Sequence, residues 1–159
     1  MEKIPITKAG FERLKKELEQ LKIVSVPENI RDIEEARAHG DLSENAEYAA
    51  AKERQAYLHG RMQELENNLA LSNVIDLRQI SGEKVVFGAN VLIRDVNSGD
   101  DICYQLVGPL ESDIGSNKIS VTSPIGKALI GKCRGDEIHV KTPGGVREFE
   151  IVNVYMEDR

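Results

Sequence analysis

The chain has 159 residues, a formal net charge of −6, and 40% hydrophobic and 30% charged residues. This composition is typical of a folded protein of one or two small domains and excludes an intrinsically disordered chain. No run of about 18 apolar residues and no secretion signal is present, so we expect a cytoplasmic protein without a membrane partner. Acidic residues exceed basic ones in both parts of the chain (14 against 11 in 1–75, 13 against 10 in 76–159), which argues against autonomous binding to DNA or RNA.

The first part of the chain has a helical pattern that begins near residue 8. Apolar residues recur there at spacings of three and four, and Thr7 is the predicted N-cap. The members of this stripe are Phe11, Leu14, Leu18 and Leu21. Pro27 lacks an amide donor and disfavours helix in the residue before it, so we expect a break or kink at 25–27.

A second apolar stripe follows and holds a heptad phase over about four repeats. Its members are Tyr48, Ala51, Gln55, Leu58, Met62, Leu65, Leu69 and Ser72. The link between the two stripes, 39–43, is short and contains Gly40, so the two helices must fold back on each other. We therefore predict that residues 1–76 form a long antiparallel α-helical coiled-coil hairpin with an acidic tip at 39–47.

The remainder of the chain has the pattern of strands and turns. Residues 90–96 and 102–107 flank a tight turn, as do 136–141 and 146–154, which predicts two β-hairpins. A further strand is predicted at 118–122, and a short helix capped by Ser123 is predicted between Pro124 and Gly131. Residues 77–159 are therefore predicted to form a compact globular domain, which makes the whole chain α+β.

Two acidic residues at the tip, Asp41 and Glu44, allow two interpretations. Asp-x-x-Glu at the start of a helix is the pattern of a capping box, in which the side chains bond free amides of the first turn. Carboxylates at an exposed tip are also ligands for a divalent ion. Two carboxylates do not make a magnesium site alone, because Mg²⁺ takes about six oxygens, but they can complete a site that another protein shares.

The tip sequence resembles a known signature. Residues 36–53, ARAHGDLSENAEYAAAKE, are similar to the tip of the Gre factors, a family of bacterial transcript-cleavage factors that act in transcription elongation. The opening IPIT at 4–7 and the stretch SPIGKALIGK at 123–132 are similar too, and the resemblance covers essentially the whole chain. The acidic balance fits the A-type class of the family better than the more basic B-type.

The resemblance implies a fold and a function. In Gre factors the coiled coil enters the secondary channel of RNA polymerase, and an FKBP-like C-terminal domain docks on the channel rim. The polymerase then cleaves its own backtracked RNA and is released from arrest. Such a factor is not an enzyme by itself, and it has no cofactor of its own beyond the Mg²⁺ that it shares with the polymerase. We expect it to be a monomer.

The resemblance also implies roles for individual residues. Asp41 and Glu44 match the family's acids that help to hold the second magnesium ion, and Ser43 lies between them near the attacked phosphate. Arg37 and Lys52 match cations that contact the RNA 3′ segment. Family members often have Arg at the position of Lys52, so bidentate phosphate binding is in question there. The alternative for both cations is a solvated helix face.

Another set of residues, Ser123, Pro124 and Ile125, is implied to contact the polymerase rim; the alternative is a helix cap and its flank. Two alternatives concern the function of the whole chain. The first is an inhibitory Gre-like protein that occupies the channel and blocks substrate entry, although such relatives have altered tip acids. The second is a coiled-coil scaffold with no part in cleavage.

Overall fold

The structure is a computed structural model that describes residues 3–40, 45–76 and 84–156. These residues form two compact units. The helical unit is Phe11–Leu71, and the sheet unit contains the described residues up to Gly10 and from Ser72 onward. The predicted α+β class, with an N-terminal helical hairpin and a C-terminal β domain, is confirmed. The predicted boundary at residue 76 and the FKBP-like character of the second domain stay predictions.

The described residues of the hairpin form three α-helices, α1 (Lys8–Gln20), α2 (Val26–Ala38) and α3 (Ala46–Leu71). The predicted cap of α1 is confirmed, since the Thr7 hydroxyl accepts from the Gly10 amide at 3.0 Å. None of the helices in the described part of the chain has the length and apolar character that a membrane span needs.

Of the two outcomes predicted at 25–27, the break is wrong because the chain remains helical there, and the kink stays a prediction. A π-helical segment, Leu21–Ser25, joins α1 to α2, and the Val26 amide bonds the Leu21 carbonyl five residues earlier. Pro27 is the second residue of α2, directly after this π-helical segment. One wider turn thus accommodates the proline without a loop.

Helix α3 packs antiparallel to the first two helices, as the bonds between them show. The bonded pairs are Glu17 with Arg61, Asn29 with Ala51, and the Ala36 carbonyl with Asn45. As the residue number rises along α1 and α2, the number of its partner falls, which is the pattern of antiparallel helices. The second predicted stripe is confirmed from Tyr48 to Leu69, where all of its members lie in α3 and are buried or half-buried; its last member, Ser72, is the first residue of a strand instead. The centre of the helical core consists of Leu21, Leu58 and Leu65, with Leu14, Leu18, Val26 and Met62 around them.

The sheet unit includes a two-stranded parallel pair that the sequence did not predict. Strand β1 (Ile4–Thr7) pairs with β2 (Ser72–Ile75), with Ile4 opposite Ser72 and Thr7 opposite Ile75. Through this pair the first described residues and those that directly follow α3 belong to one unit.

The main sheet has five strands in the order β5-β4-β3-β7-β6. Their bounds are β3 (Asn90–Asp95), β4 (Asp101–Val107), β5 (Lys118–Ser120), β6 (Glu137–Thr142) and β7 (Gly145–Tyr155). Only the β4–β5 contact is parallel among the pairings of this sheet. The two predicted hairpins are therefore confirmed, and so are the predicted strand at β5 and the short helix α4 (Pro124–Leu129).

The core of the sheet unit lies on the inner face of this sheet. Burial alternates along β6, where Ile138 and Val140 are buried between exposed neighbours, as expected for a strand with one buried face. Leu129 of α4 lies in the same cluster. The other buried members are Val85, Ala89, Val91, Ile93, Leu106, Ile119, Phe149, Ile151 and Val154.

Candidate functional site

The predicted tip begins where α2 ends. His39 is the C-cap, and its amide bonds the Ala36 and Arg37 carbonyls. Gly40 follows with φ of +115° and donates to the Arg37 carbonyl at 3.4 Å. A residue with a side chain rarely adopts this conformation, so Gly40 allows the chain to leave the helix here.

Helix α3 begins at Ala46, and its N-cap is Asn45. The Asn45 side-chain oxygen accepts from the Tyr48 amide at 3.0 Å, which is the bond that an N-cap makes to the third residue of a helix. The same side chain donates through Nδ2 to the Ala36 carbonyl at 2.7 Å. One amide group therefore joins the last turn of α2 to the first turn of α3.

This geometry bears on the two interpretations of the tip acids. Asp41, Ser43 and Glu44 lie outside the described residues. The capping-box interpretation of Asp41 and Glu44 therefore stays a prediction, but α3 itself has a cap in Asn45. The sequence contained a signal for the correct cap, since Asn is among the residues most favoured at this position.

The charged side chains around the tip are exposed. His39 Nδ1 and Glu47 Oε2 lie 2.9 Å apart, and this contact joins the end of α2 to the first turn of α3. Lys52 donates to Gln55 Oε1 at 2.8 Å on the surface of α3. Arg37 lies in the last turn of α2, where its positive charge suits the negative end of the helix dipole.

Both predicted RNA-contacting cations, Arg37 and Lys52, are therefore on the solvent side of the hairpin near its predicted tip. A solvated helix face would look the same, so the geometry leaves their predicted role open. Within the described ranges, no group of three or more His, Cys, Asp or Glu residues is arranged to hold a metal ion.

The predicted docking residues lie at the start of α4. Ser123 caps this helix by accepting from the Gly126 amide at 3.1 Å, and it donates to the Ser120 carbonyl at 2.6 Å. Ile125 is half-buried against the sheet core, whereas Pro124 is exposed. Ser123 and Ile125 thus have structural roles, and Pro124 is the member of the set most accessible to a partner.

Comparison with known proteins agrees with the resemblance of the tip. The family model described as "Transcription elongation factor, N-terminal" matches residues 4–74, and the one described as "Transcription elongation factor, GreA/GreB, C-term" matches residues 80–156. Together these matches cover nearly the whole chain.

Individual relatives are similar along their full length. The chain is 69% identical over 156 residues to transcription elongation factor GreA of Syntrophus aciditrophicus, covering 98% of this chain and 97% of the relative. It is 52% identical to the protein of the same name from an Anaeromyxobacter strain, covering 97% and 93%. A solved structure, GreA factor homolog 1 of Thermus thermophilus, is 33% identical, with coverage of 96% and 99% and a TM-score of 0.44.

Proposed function

The chain belongs to the GreA/GreB family of transcription elongation factors, and from that premise we propose that it stimulates RNA polymerase to cleave its own backtracked transcript. In this proposal the hairpin enters the secondary channel of the polymerase, and the factor supplies side chains to an active site that belongs to its partner. Cleavage leaves a new RNA 3′ end in register with the catalytic centre and releases the arrested complex.

The observation that carries the proposal is the cap of α3. Because Asn45 bonds the Tyr48 amide, α3 does not need Asp41 as its N-cap. The capping-box explanation for acidic residues at positions 41 and 44 is thereby weakened. The proposed metal-assisting role gives Asp41 and Glu44 a function that does not depend on capping α3.

The donor chemistry of these two residues fits magnesium. Carboxylate oxygens are the hard ligands that Mg²⁺ prefers, but two of them fill only part of its six-coordinate shell. Asp41 and Glu44 would hold the ion jointly with carboxylates of the polymerase and a phosphate of the RNA. When bound, the ion would supply an activated water for attack on the phosphodiester.

The remaining residues of the tip are assigned to the RNA. Arg37 and Lys52 are exposed cations at the end of the hairpin, and they would contact phosphates of the backtracked 3′ segment. Ser43 would lie near the attacked phosphate. Lys52 offers one ammonium in place of a planar guanidinium, so its contact would be a point charge and not a bidentate pair.

A second contact with the polymerase is proposed for the sheet unit. Ser123, Pro124 and Ile125 form the first turn of α4, and Pro124 is exposed there. The Ser123 cap fixes the conformation of this turn through its two hydrogen bonds. A fixed, partly apolar surface of this kind suits docking on the outer rim of the channel.

The test is cleavage of end-labelled RNA in a backtracked polymerase complex with Mg²⁺ present. The wild type is expected to release short 3′ fragments. The Asp41→Ala/Glu44→Ala variant should lose most of this stimulation, on the order of a hundredfold, because removing ligands for a charge-stabilising group costs about this much. Its affinity for the polymerase should be unchanged.

A matched control removes two carboxylates elsewhere on the hairpin. Asp32 and Glu34 are exposed on α2, and Asp32→Ala/Glu34→Ala changes the net charge equally. This control should cleave like the wild type. If the tip variant also cleaves like the wild type, the metal-assisting role is wrong. A wild type that binds and only slows elongation would instead support the inhibitory alternative.

A further inference from the structure

We propose that Asn45 is a positioning residue for transcript cleavage, because its amide holds together the two chain ends between which the tip acids lie. The inference rests on the proposed function, since it concerns how the chain presents Asp41 and Glu44. It assigns a role to a side chain that contacts neither the metal nor the RNA.

The two hydrogen bonds of Asn45 have different consequences. The bond from the Tyr48 amide to Oδ1, 3.0 Å, satisfies the start of α3 and would be made by any good N-cap. The bond from Nδ2 to the Ala36 carbonyl, 2.7 Å, connects the start of α3 to the last turn of α2. Only the second bond fixes one helix end relative to the other.

These two hydrogen bonds explain why asparagine suits position 45. A primary amide offers a donor and an acceptor on separate atoms of one short side chain. Aspartate offers acceptors alone, so it would keep the cap and lose the connection to Ala36. Ala36 itself is only 2% exposed, so its backbone is held in the helix interface and provides a fixed anchor.

A second asparagine makes the same kind of connection farther from the tip. Asn29 of α2 is 3% exposed and donates through Nδ2 to the Ala51 carbonyl of α3 at 2.9 Å. It lies seven residues before Ala36 in the same helix, which is about 10 Å along the axis at about 1.5 Å per residue. Asn29 therefore supplies a control in which an equivalent bond between the same helices is lost away from the tip.

The experiment compares Asn45→Asp, Asn45→Ala and Asn29→Ala with the wild type. Four quantities are measured on the full chain: the thermal midpoint, the affinity for a backtracked polymerase complex, the maximal cleavage rate, and the Mg²⁺ concentration for half-maximal cleavage. The cleavage rate and the Mg²⁺ concentration report on the tip acids. The thermal midpoint and the polymerase affinity report on the hairpin as a structural element.

Asn45→Asp keeps the α3 cap, so its thermal midpoint should fall less than that of Asn45→Ala, and its polymerase affinity should be unchanged. Its maximal cleavage rate should fall, or its Mg²⁺ requirement should rise, by about ten- to a hundredfold, because a misplacement of about 1 Å can cost about a hundredfold in rate. Asn45→Ala should show the same cleavage defect and a lower thermal midpoint, since it loses the cap as well. Asn29→Ala should lower the midpoint and keep the Mg²⁺ requirement.

Several results would overturn the proposal. One is an Asn45→Asp variant with wild-type rate and Mg²⁺ dependence; another is an Asn29→Ala variant with the same cleavage defect, which would make Asn45 merely structural. A lower Mg²⁺ requirement in Asn45→Asp would also overturn it, because the introduced carboxylate would then act as a ligand and the loss of the Ala36 bond would have no cost. These results are distinct from failure of the proposed function, which is read from the wild type and Asp41→Ala/Glu44→Ala alone.

Discussion

Glu17 of α1 and Arg61 of α3 form an ion pair with two hydrogen bonds, from Nε to Oε2 at 2.6 Å and from Nη2 to Oε1 at 2.9 Å. The hydrogen bond from Arg61 lowers the pKa of Glu17; burial opposes this shift, and the charge of Arg61 adds to it. The same bond raises the pKa of Arg61, which therefore stays charged at any pH used for the folded protein.

The lowered pKa predicts how this pair contributes to stability. Because the folded pKa of Glu17 lies below its unfolded value, the contribution is present above the unfolded pKa and is lost as the pH falls through the folded pKa. At pH 7, Glu17→Gln should lower the free energy of unfolding by about 0.5–1 kcal/mol, a value kept small because the pair is partly exposed. Thermal melts of both proteins across acidic and neutral pH measure the difference.

A matched control for this prediction is Glu19→Gln, since Glu19 is an exposed glutamate on the same helix. It should change the thermal midpoint little at any pH. A Glu17→Gln deficit that persisted unchanged at strongly acidic pH would contradict the assignment to the ion pair, because protonated Glu17 no longer carries the charge.

Among the elements, the start of α1 depends on a buried carboxylate of the sheet unit. Glu111 is 5% exposed and accepts from the Thr7 and Gly108 amides at 3.0 Å each, and from the Thr7 hydroxyl. The contact is close, because a Cβ at Gly10 would lie 2.1 Å from Glu111 Oε1. A side chain at position 10 would therefore displace the carboxylate that holds β1 and the first turn of α1.

Removal of this carboxylate should destabilise the sheet unit. Glu111→Ala leaves buried donors without an acceptor, at a cost of about 2–4 kcal/mol in the free energy of unfolding. Glu111→Gln should cost less, since the amide oxygen still accepts. Urea unfolding followed by circular dichroism measures both, with exposed Glu137→Ala as the control. Equal midpoints for Glu111→Ala and Glu137→Ala would contradict the structural role.

The elements predicted correctly from the sequence are those with local signals. Strands β3 and β4 begin and end within about one residue of the predicted bounds, because a tight turn and alternating residues lie side by side in the chain. The pairing of β1 with β2 joins two four-residue strands that are far apart in sequence. No local pattern predicts such a contact, since it depends on the folded hairpin between them.

The difference between local signals and contacts that depend on the folded chain also applies to the candidate site. The cap role of Asn45 follows from a preference that the sequence alone reveals. Its bond to Ala36 does not, because it requires α2 and α3 to be packed in one register. The π-helical turn before Pro27 was missed for a similar reason. The proline predicts only that the regular α-helical hydrogen bonds are interrupted there. Leu21 and Val26 both pack in the helical core, and a π-helical turn keeps them there without a break in the helix.

On the scale of the whole molecule, the charge of −6 has a consequence for nucleic-acid binding. Phosphates are bound chiefly through basic residues that release counterions, and here acidic residues exceed basic ones in both parts of the chain. Arg37 and Lys52 supply two exposed cations at the predicted tip, enough for a few phosphate contacts but not for a free-standing RNA-binding surface. Contact with RNA should therefore require a partner that presents it.

We accordingly expect the isolated protein to bind a labelled single-stranded RNA more weakly than about 10⁻⁴ M at physiological salt, which is the weak end of non-specific binding. Fluorescence anisotropy measures this, with titrations at two salt concentrations. Arg37→Ala/Lys52→Ala should leave that weak binding unchanged and reduce crosslinking to the RNA 3′ segment only inside the backtracked complex. Micromolar affinity of the free protein, falling steeply with salt and lost in the double variant, would contradict the argument, because the two cations would then suffice to overcome the net negative charge.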